Sequence, residues 1–554
     1  MRNRSCQCFI AVLMLGAACA VLSPAAFAQQ QPDAGRTIQE IQRNAPAIPA
    51  RSSLSIAIPA AEKTAPGGPK VVAQSVDFHG NTIFGIAELQ TALGRYQGQS
   101  YDLSGVKDLA DRITAYYHAK GYPFARALIP AQEIDKGTLR IEIVEGRFGE
   151  TKVLSDDARS KNAQSYLNPL TKGSVIENRS LERATLLIDD LPGYKATPII
   201  RPGQDVGTGD LDVKLDRDSY YSGQVGIDNY GNRYTGRHRA YADFQADSPF
   251  MLGDQVRLNT LYTQEDMWYG TASYSLPVGI SGLRAQTVYS HTYYELGSEF
   301  KNLDAHGTAK TASAGLSYPF IRSQKTNIVL NGTYQRKWLK DEQDSTNTKD
   351  GKSSHGLVAG MNFDRRDGFA GGGVTYGAVS WTHGVLNLGQ SLKLLDIATA
   401  KTDGGFDKFN LDIARLQALP SDFSMFGRFS GQWATDNLDS SESFGLGGSS
   451  GVRAFPSGEG YGDEGWFSQI ELRYQVKSFA PYVFYDHGRV TINQDPWAAG
   501  DNTRSIAGAG LGVRFEQSGW KADVNAAWRT LGGAPESDSK KSTPMIGFNM
   551  GYRF

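Results

Sequence analysis

From Ser219 to the C-terminus, apolar and polar residues alternate in segments of about ten positions. Trp520, Ala522, Val524, Ala526 and Trp528 alternate with Lys521, Asp523 and Asn525. Ile470, Leu472 and Tyr474 alternate with Gln469, Glu471, Arg473 and Gln475, and Ala242, Phe244 and Ala246 with Asp243, Gln245 and Asp247. A period of two sends successive side chains to opposite faces of a strand. Such segments predict transmembrane β-strands with a lipid face and a wet lumen. Residues 217–554 hold about sixteen of them, an even number as a closed bacterial barrel requires. Connections alternate in length. Short ones fall near Pro249, Pro277, Ser323, Gly368, Pro420 and Ser518, and long ones near Gly297, Asp344, Leu394, Ser449, Asn502 and Ser537. Short turns belong to the periplasmic side and long loops to the outside. The last strand puts apolar groups at Phe548 and Tyr552 and ends on Phe554.

Upstream the period changes. Residues 71–147 read as β-α-α-β-β. Val72, Val76 and Phe78 open a strand that stops at Gly80-Asn81. Ile86, Leu89 and Leu93 have helical spacing, and Leu103, Val106, Leu109, Ile113 and Tyr117 form a longer stripe that Gly121 ends. Phe124–Ile129 and Thr138–Val144 predict a hairpin with one buried face. The pattern recurs over 148–216, with a strand at Thr151–Leu154, a helix carrying Ala184, Leu187, Ile188 and Leu191, and a closing hairpin at Ala196–Arg201 and Asp210–Leu215. This is an internal repeat of about seventy residues.

The N-terminus changes the picture of where the chain resides. Arg2 and Arg4 precede the apolar stretch Phe9–Leu22 and the small-residue site Ala26-Phe27-Ala28, the pattern of a secretory signal over 1–28. All three cysteines (Cys6, Cys8, Cys19) lie inside it, so the mature chain is expected to contain no disulfide. Residues 29–70 combine a short helix at Arg36–Asn44, with Ile38 and Ile41 on one side, and a linker punctuated by Pro46, Pro49, Pro59, Pro66 and Pro69. Beyond the signal there is no apolar run long enough for a helical membrane span, which leaves a closed barrel as the way across. A formal net charge of −1 gives no basic field for nucleic acid. The eight His residues show no metal-ligand spacing, and Gly371-Gly372-Gly373 lacks the Lys and Ser/Thr of a phosphate loop. The chain is therefore expected to be no enzyme, and to use neither metal nor cofactor.

Two short motifs remain. Val452-Arg453-Ala454-Phe455 lies in the long loop between the eleventh and twelfth strands. Phe484-Tyr485-Asp486-His487-Gly488 lies on the thirteenth, where alternation puts Phe484, Asp486 and Gly488 on one face.

With these motifs the chain resembles the two-partner secretion transporters (the TpsB family of haemolysin and filamentous adhesin secretion proteins). Residues 71–147 and 148–216 look like POTRA domains, the periplasmic modules of that superfamily. Gly121-Tyr122-Pro123-Phe124-Ala125 with Leu139–Gly146 matches them, and so does Pro202-Gly203 with Val206–Leu211 before the barrel. The resemblance implies α+β POTRA repeats followed by an all-β barrel of about sixteen antiparallel strands in the outer membrane. It implies that the long loop folds inward and that Arg453 pairs with Asp486 in the lumen. Ala454 stands where the family form has Gly. Phe548, Tyr552 and Phe554 resemble the closing strand read by the barrel-insertion machinery. The helix at 36–44 corresponds to the family's pore plug. The implied function is export of a TpsA-like exoprotein, bound by the POTRA domains and threaded through the barrel without ATP. The alternatives are a barrel-assembly insertase of the same superfamily and a passive porin.

Overall fold

A computed structural model describes residues 32–42, 48–49, 67–539 and 541–554. The predicted signal lies outside the described residues, as does most of the linker. The N-terminal helix α1 runs Ala34–Gln42, shifted toward the N-terminus from the predicted 36–44. Asp33 sets its start by accepting a hydrogen bond from the Arg36 backbone N–H at 2.9 Å.

The first repeat contains β1 (Val71–Ala73), β2 (Ser75–His79), α2 (Ile86–Leu93), β3 (Gln99–Tyr101), α3 (Leu103–Ala119), β4 (Arg126–Leu128) and β5 (Thr138–Val144). Its sheet has the order β2-β5-β4, with β2 parallel and β4 antiparallel to β5. Leu89, Leu93, Leu109, Ile113 and Tyr117 from the helices pack on Val76, Phe78, Leu139, Ile141 and Ile143 from the sheet. Asp102 caps α3, and Gly121, at φ +95°, takes the left-handed turn that ends it. The second repeat has the same plan: β6 (Arg147–Leu154), a 3₁₀ helix (Ala158–Leu167), α4 (Asn178–Asp189), β7 (Tyr194–Pro202) and β8 (Thr208–Arg217), in the order β6-β8-β7. β6 starts earlier than the predicted Thr151, because a register break between Phe148 and Thr151 interrupts the alternation that would reveal it.

Sixteen antiparallel strands then close a barrel in sequence order. The last, Met545–Arg553, pairs with the first, Tyr221–Asp228, only from Asn549 opposite Asp228 to Arg553 opposite Gln224. Trp520, Val524 and Trp528 face outward and are exposed, whereas Asn525 faces in and is buried, so the alternation sorts lipid from lumen. One connection differs from expectation. The loop expected near Asp344 is the tight turn Asp344–Thr346, because the seventh and eighth strands, Thr326–Gln343 and Thr348–Asp367, are 18 and 20 residues long, where about 9–11 residues span a bilayer. Their outer parts are polar enough to read as loop while remaining fully paired.

Candidate functional site

Among the described residues, two folded segments that are not barrel strands occupy the lumen. The first is the connection between the eleventh strand (Phe423–Ala434) and the twelfth (Glu464–Tyr474). Phe444–Gly445 pairs with Tyr461–Gly462 at its neck, which turns the connection inward as a hairpin. Val452, Ala454 and Phe455 are fully buried there, in one cluster with Leu446, Phe467 and Phe484. Gly488, on the thirteenth strand (Phe479–Thr491), lets the hairpin approach. A Cβ there would lie 2.8 Å from both Leu446 Cδ2 and Phe467 Cβ.

The buried apolar cluster surrounds a charge pair. Arg453 donates from Nε (2.8 Å) and Nη2 (2.7 Å) to the two oxygens of Asp486, and its backbone N–H adds a third bond at 3.1 Å. The guanidinium lies 3.6 Å over the Phe484 ring, so Phe484 is the floor of the site. Asp486 is wholly buried and Arg453 nearly so. A two-pronged contact of this kind is strong and geometrically selective where water is excluded. The fork has a third member that the sequence motifs do not contain. Glu471, on the twelfth strand, accepts from Arg453 Nη1 at 2.5 Å and also bridges Arg473 (2.6 Å) and Arg514 (3.1 Å). Its signal in the sequence was only its place on the polar side of the Gln469–Gln475 alternation.

Ala454 shows how the family glycine is replaced. Its φ is not positive, so the position does not require glycine for conformation. Space is found across the lumen wall instead. Gly508 stands opposite, and a Cβ there would come within 2.3 Å of the Ala454 Cβ.

The second lumenal segment is α1. Ala34 and Ile38 are buried against Tyr234, Met267, Tyr294 and Leu339, with Ile41 partly buried at the same cluster. The rest of its seat is polar. Lys352 Nζ bridges Asp33 (2.9 Å) and Asp439 (2.7 Å), and the Ala34 N–H donates to Asp341 at 2.9 Å. Glu40 accepts from Asn232 at 3.1 Å, and Gln39 donates to the Ser441 carbonyl. Sequence reasoning missed Lys352, Asp439 and Asp341, since nothing local marks them among other lumenal charges.

At the periplasmic mouth the second repeat is fastened to the barrel turns. Arg322 forms a fork with Asp190, both bonds 2.7 Å, and Arg183 donates to the Pro319 carbonyl at 2.8 Å. Leu187 and Leu191 close over Gly282 and Gly253, where a Cβ would lie 2.6 and 2.9 Å from their methyl groups. Between the two repeats, Glu145 is buried and accepts from the Thr82 and Ile83 backbones (2.6 and 2.8 Å) and from the Tyr117 hydroxyl (3.0 Å). Burial pushes its carboxyl up, but the bonds from Thr82, Ile83 and Tyr117 outweigh burial and hold it below the usual glutamate range.

The closing strand presents Tyr552 and Phe554 outward as exposed aromatics, with Phe548 on the same face. Phe554 also ties the barrel seam, exchanging backbone bonds of 3.0 and 3.1 Å with Gly223. One acidic–histidine group, His306 with Glu342 and Asp344, comes together because His306 and Glu342 sit opposite on paired strands. Spacing along the chain does not reveal it. Lys340 and Lys349 both pair with Glu342, so the group is an ion-pair cluster as it stands.

Residues 207–515 match a family profile described as haemolysin secretion/activation protein ShlB/FhaC/HecB, and 71–146 match the ShlB-type POTRA domain. The chain is 30% identical to the heme/hemopexin transporter protein HuxB of Haemophilus influenzae over 410 residues, 72% of each chain. It is 23% identical to the outer membrane transporter CdiB of Dickeya dadantii over 480 residues, 82% of each. The solved structure of CdiB from Escherichia coli has a similar fold, with a TM-score of 0.71 at 18% identity over 94% of this chain and 96% of that one.

Proposed function

The chain belongs to the haemolysin secretion/activation family, whose outer-membrane transporters secrete partner proteins across that membrane, and from that premise we propose that it binds an unfolded exoprotein with its periplasmic POTRA units and passes it through the barrel to the cell surface without ATP. One observation carries this reading. The lumen is wide enough to hold a helix and a hairpin of the same chain, and of the two folded units that precede the barrel the second is fastened at its periplasmic mouth. A passive porin needs neither feature, and the named relatives are transporters rather than insertases.

Sheet edges favour the first unit as the docking place. An extended chain adds to a free edge through backbone hydrogen bonds. In the second unit, Gln164 closes β6 by bonding the Val153 N–H (2.8 Å) and the Thr151 carbonyl (2.9 Å). β7 carries Pro198 and Pro202, which lack the donors a new strand requires. In the first unit, β2 pairs with β5 on one side, and no other described strand covers its outer side. Folding of the exoprotein outside supplies direction, since no nucleotide is needed for a chain that folds only after crossing. The outward row Phe548, Tyr552 and Phe554 meets outer-membrane lipid and serves the insertion machinery. A net charge of −1 gives nucleic acid no footing.

The test is secretion of the exoprotein encoded in the neighbouring reading frame. The intact chain restores it in a strain lacking both genes. Deletion of 71–216 leaves a heat-modifiable barrel in the outer membrane and no exported partner. Normal export by that deletion would remove the POTRA units from the mechanism.

A further inference from the structure

Beneath the hairpin the lumen contains a cavity of about 520 Å³. Phe426, Tyr376, Arg428, Arg473 and Arg514 line it together with the carboxylates Glu471 and Asp523. These arginines sit over rings: Arg473 is 4.4 Å from the centre of Phe426, Arg514 is 4.1 Å from that of Tyr482, and Arg428 is 5.0 Å from that of Phe467. Each also has a carboxylate, Glu471 for Arg473, Asp523 for Arg514 and Asp412 for Arg428. A guanidinium that is stacked and locally paired presents a weakly hydrated plate. Such a wall packs against apolar groups without gripping any one charge.

The chain itself already uses the cavity. Ile48 lines it, and the Pro49 carbonyl accepts a 2.5 Å hydrogen bond from Arg366 on the lumenal side of the eighth strand. A residue before proline is biased to extended backbone, and proline-spaced segments leave their carbonyls unpaired. So one aliphatic side chain enters an aromatic–arginine pocket while one backbone carbonyl is held. Neither contact depends much on sequence, because every residue has a carbonyl and aliphatic side chains recur in any foldable chain. Nor is the grip tight, since Ile48 remains 46% exposed.

We infer that this cavity is a subsite for the exported polypeptide, taking an extended segment with one aliphatic side chain, and that Ile48-Pro49 fills it as a built-in stand-in until cargo arrives. The inference rests on the export reading above and adds where in the lumen the chain is held. It also gives entry a consequence. Cargo that takes the subsite displaces a segment joined to the end of α1 at Gln42, so arrival at the periplasmic side loosens the plug.

The experiment uses the purified full-length protein with p-benzoylphenylalanine in place of Phe426, or, as control, of Tyr294 beside α1. Irradiation of the first joins position 426 to the chain's own segment around Ile48. In Ile48→Asp that product is lost while heat-modifiable migration is retained. A synthetic peptide of Ala45–Ser53 then labels 426 and leaves 294 unlabelled. A Gly/Ser peptide of equal length with a central leucine does the same, and its all-Gly/Ser counterpart labels neither. Survival of the internal product in Ile48→Asp, equal labelling of 426 and 294, or no peptide labelling of 426 overturns the subsite. Those failures leave export standing, because export is judged by the secretion assay, whereas loss of secretion by the intact chain strikes the export reading itself.

Discussion

The hairpin and α1 fill the same lumen by opposite means. The hairpin is covalently continuous at both ends with neighbouring strands and encloses a fully buried charge fork in an apolar cluster. Helix α1 offers little more than Ala34, Ile38 and part of Ile41 to the wall, and the remainder of its seat is hydrogen bonds and ion pairs with lumenal side chains. Water replaces polar contacts at modest net cost, while a buried charge that loses its partner has no substitute. The difference teaches that a segment seated by exchangeable polar contacts is cheaper to move from the lumen than one fixed by contacts that water cannot reproduce.

The comparison breaks most visibly at the fork. Arg453→Ala leaves the buried Asp486 without its cation, while Glu471 keeps Arg473 and Arg514, and Asp486→Ala leaves Arg453 with Glu471 alone. Removing one partner of a buried pair costs about 3–5 kcal/mol. Each variant is expected to lose secretion while outer-membrane barrel levels hold. Arg453→Lys does not restore it, because an ammonium cannot span both Asp486 oxygens and Glu471. A double-mutant cycle on secretion reads the pair directly, and simple addition of the two single effects would show that they act separately.

At α1, Lys352→Ala removes the ammonium that Asp33 and Asp439 share, leaving two carboxylates facing each other. Hydrogen bonds to charged groups contribute about 1.5–3 kcal/mol. Single-channel conductance in planar bilayers should rise, as it should on deleting 29–50, with secretion retained. Unchanged conductance in both would mean that α1 does not obstruct the pore. A smaller effect is expected behind the hairpin. Gly508→Ala drives a methyl into Ala454, and overpacking of this kind costs about 1–3 kcal/mol. Adding Ala454→Gly should recover the loss, read as the temperature at which the barrel ceases to migrate as a compact species.

The smallest expected effect lies outside the lumen. Because the folded Glu145 carboxyl is held below its usual range, its contribution is complete above the ordinary glutamate value of about 4.3 and fades as pH falls through the folded value. Hydrogen exchange over 71–146 should therefore lose protection on acidification in the wild type. Glu145→Gln should be less protected at neutral pH and nearly insensitive to acid. Equal acid sensitivity in both would assign the loss to another carboxyl.

Much of the fold was legible along the chain because its rules are local. The alternation through Trp520–Trp528 marks a strand with one wet face, and the stripe from Leu103 to Tyr117 marks α3. Short or interrupted elements were not legible. β3 has three residues, and the 3₁₀ helix at 158–167 carries no helical stripe. The turn at Asp344 hid because polar strand and polar loop look alike once a strand rises out of the lipid. Arg453 and Asp486 could be named only through resemblance to a family motif, and Glu471 not at all, since a lumenal carboxylate looks the same whether or not an arginine reaches it.

By itself, then, the sequence determined the two architectures, their order, and which side of each barrel strand meets lipid, since those follow from periods of two and of three to four residues. Only the tertiary structure decided what fills the barrel. Asp33 meets Lys352, Glu40 meets Asn232, Pro49 meets Arg366 and Arg453 meets Glu471 across separations that no periodicity spans. The physical reason is that a wet lumen tolerates polar side chains of either sign at every inward position. Patterning therefore specifies that a group faces in, and closure of the barrel around α1 and the hairpin alone selects its partner.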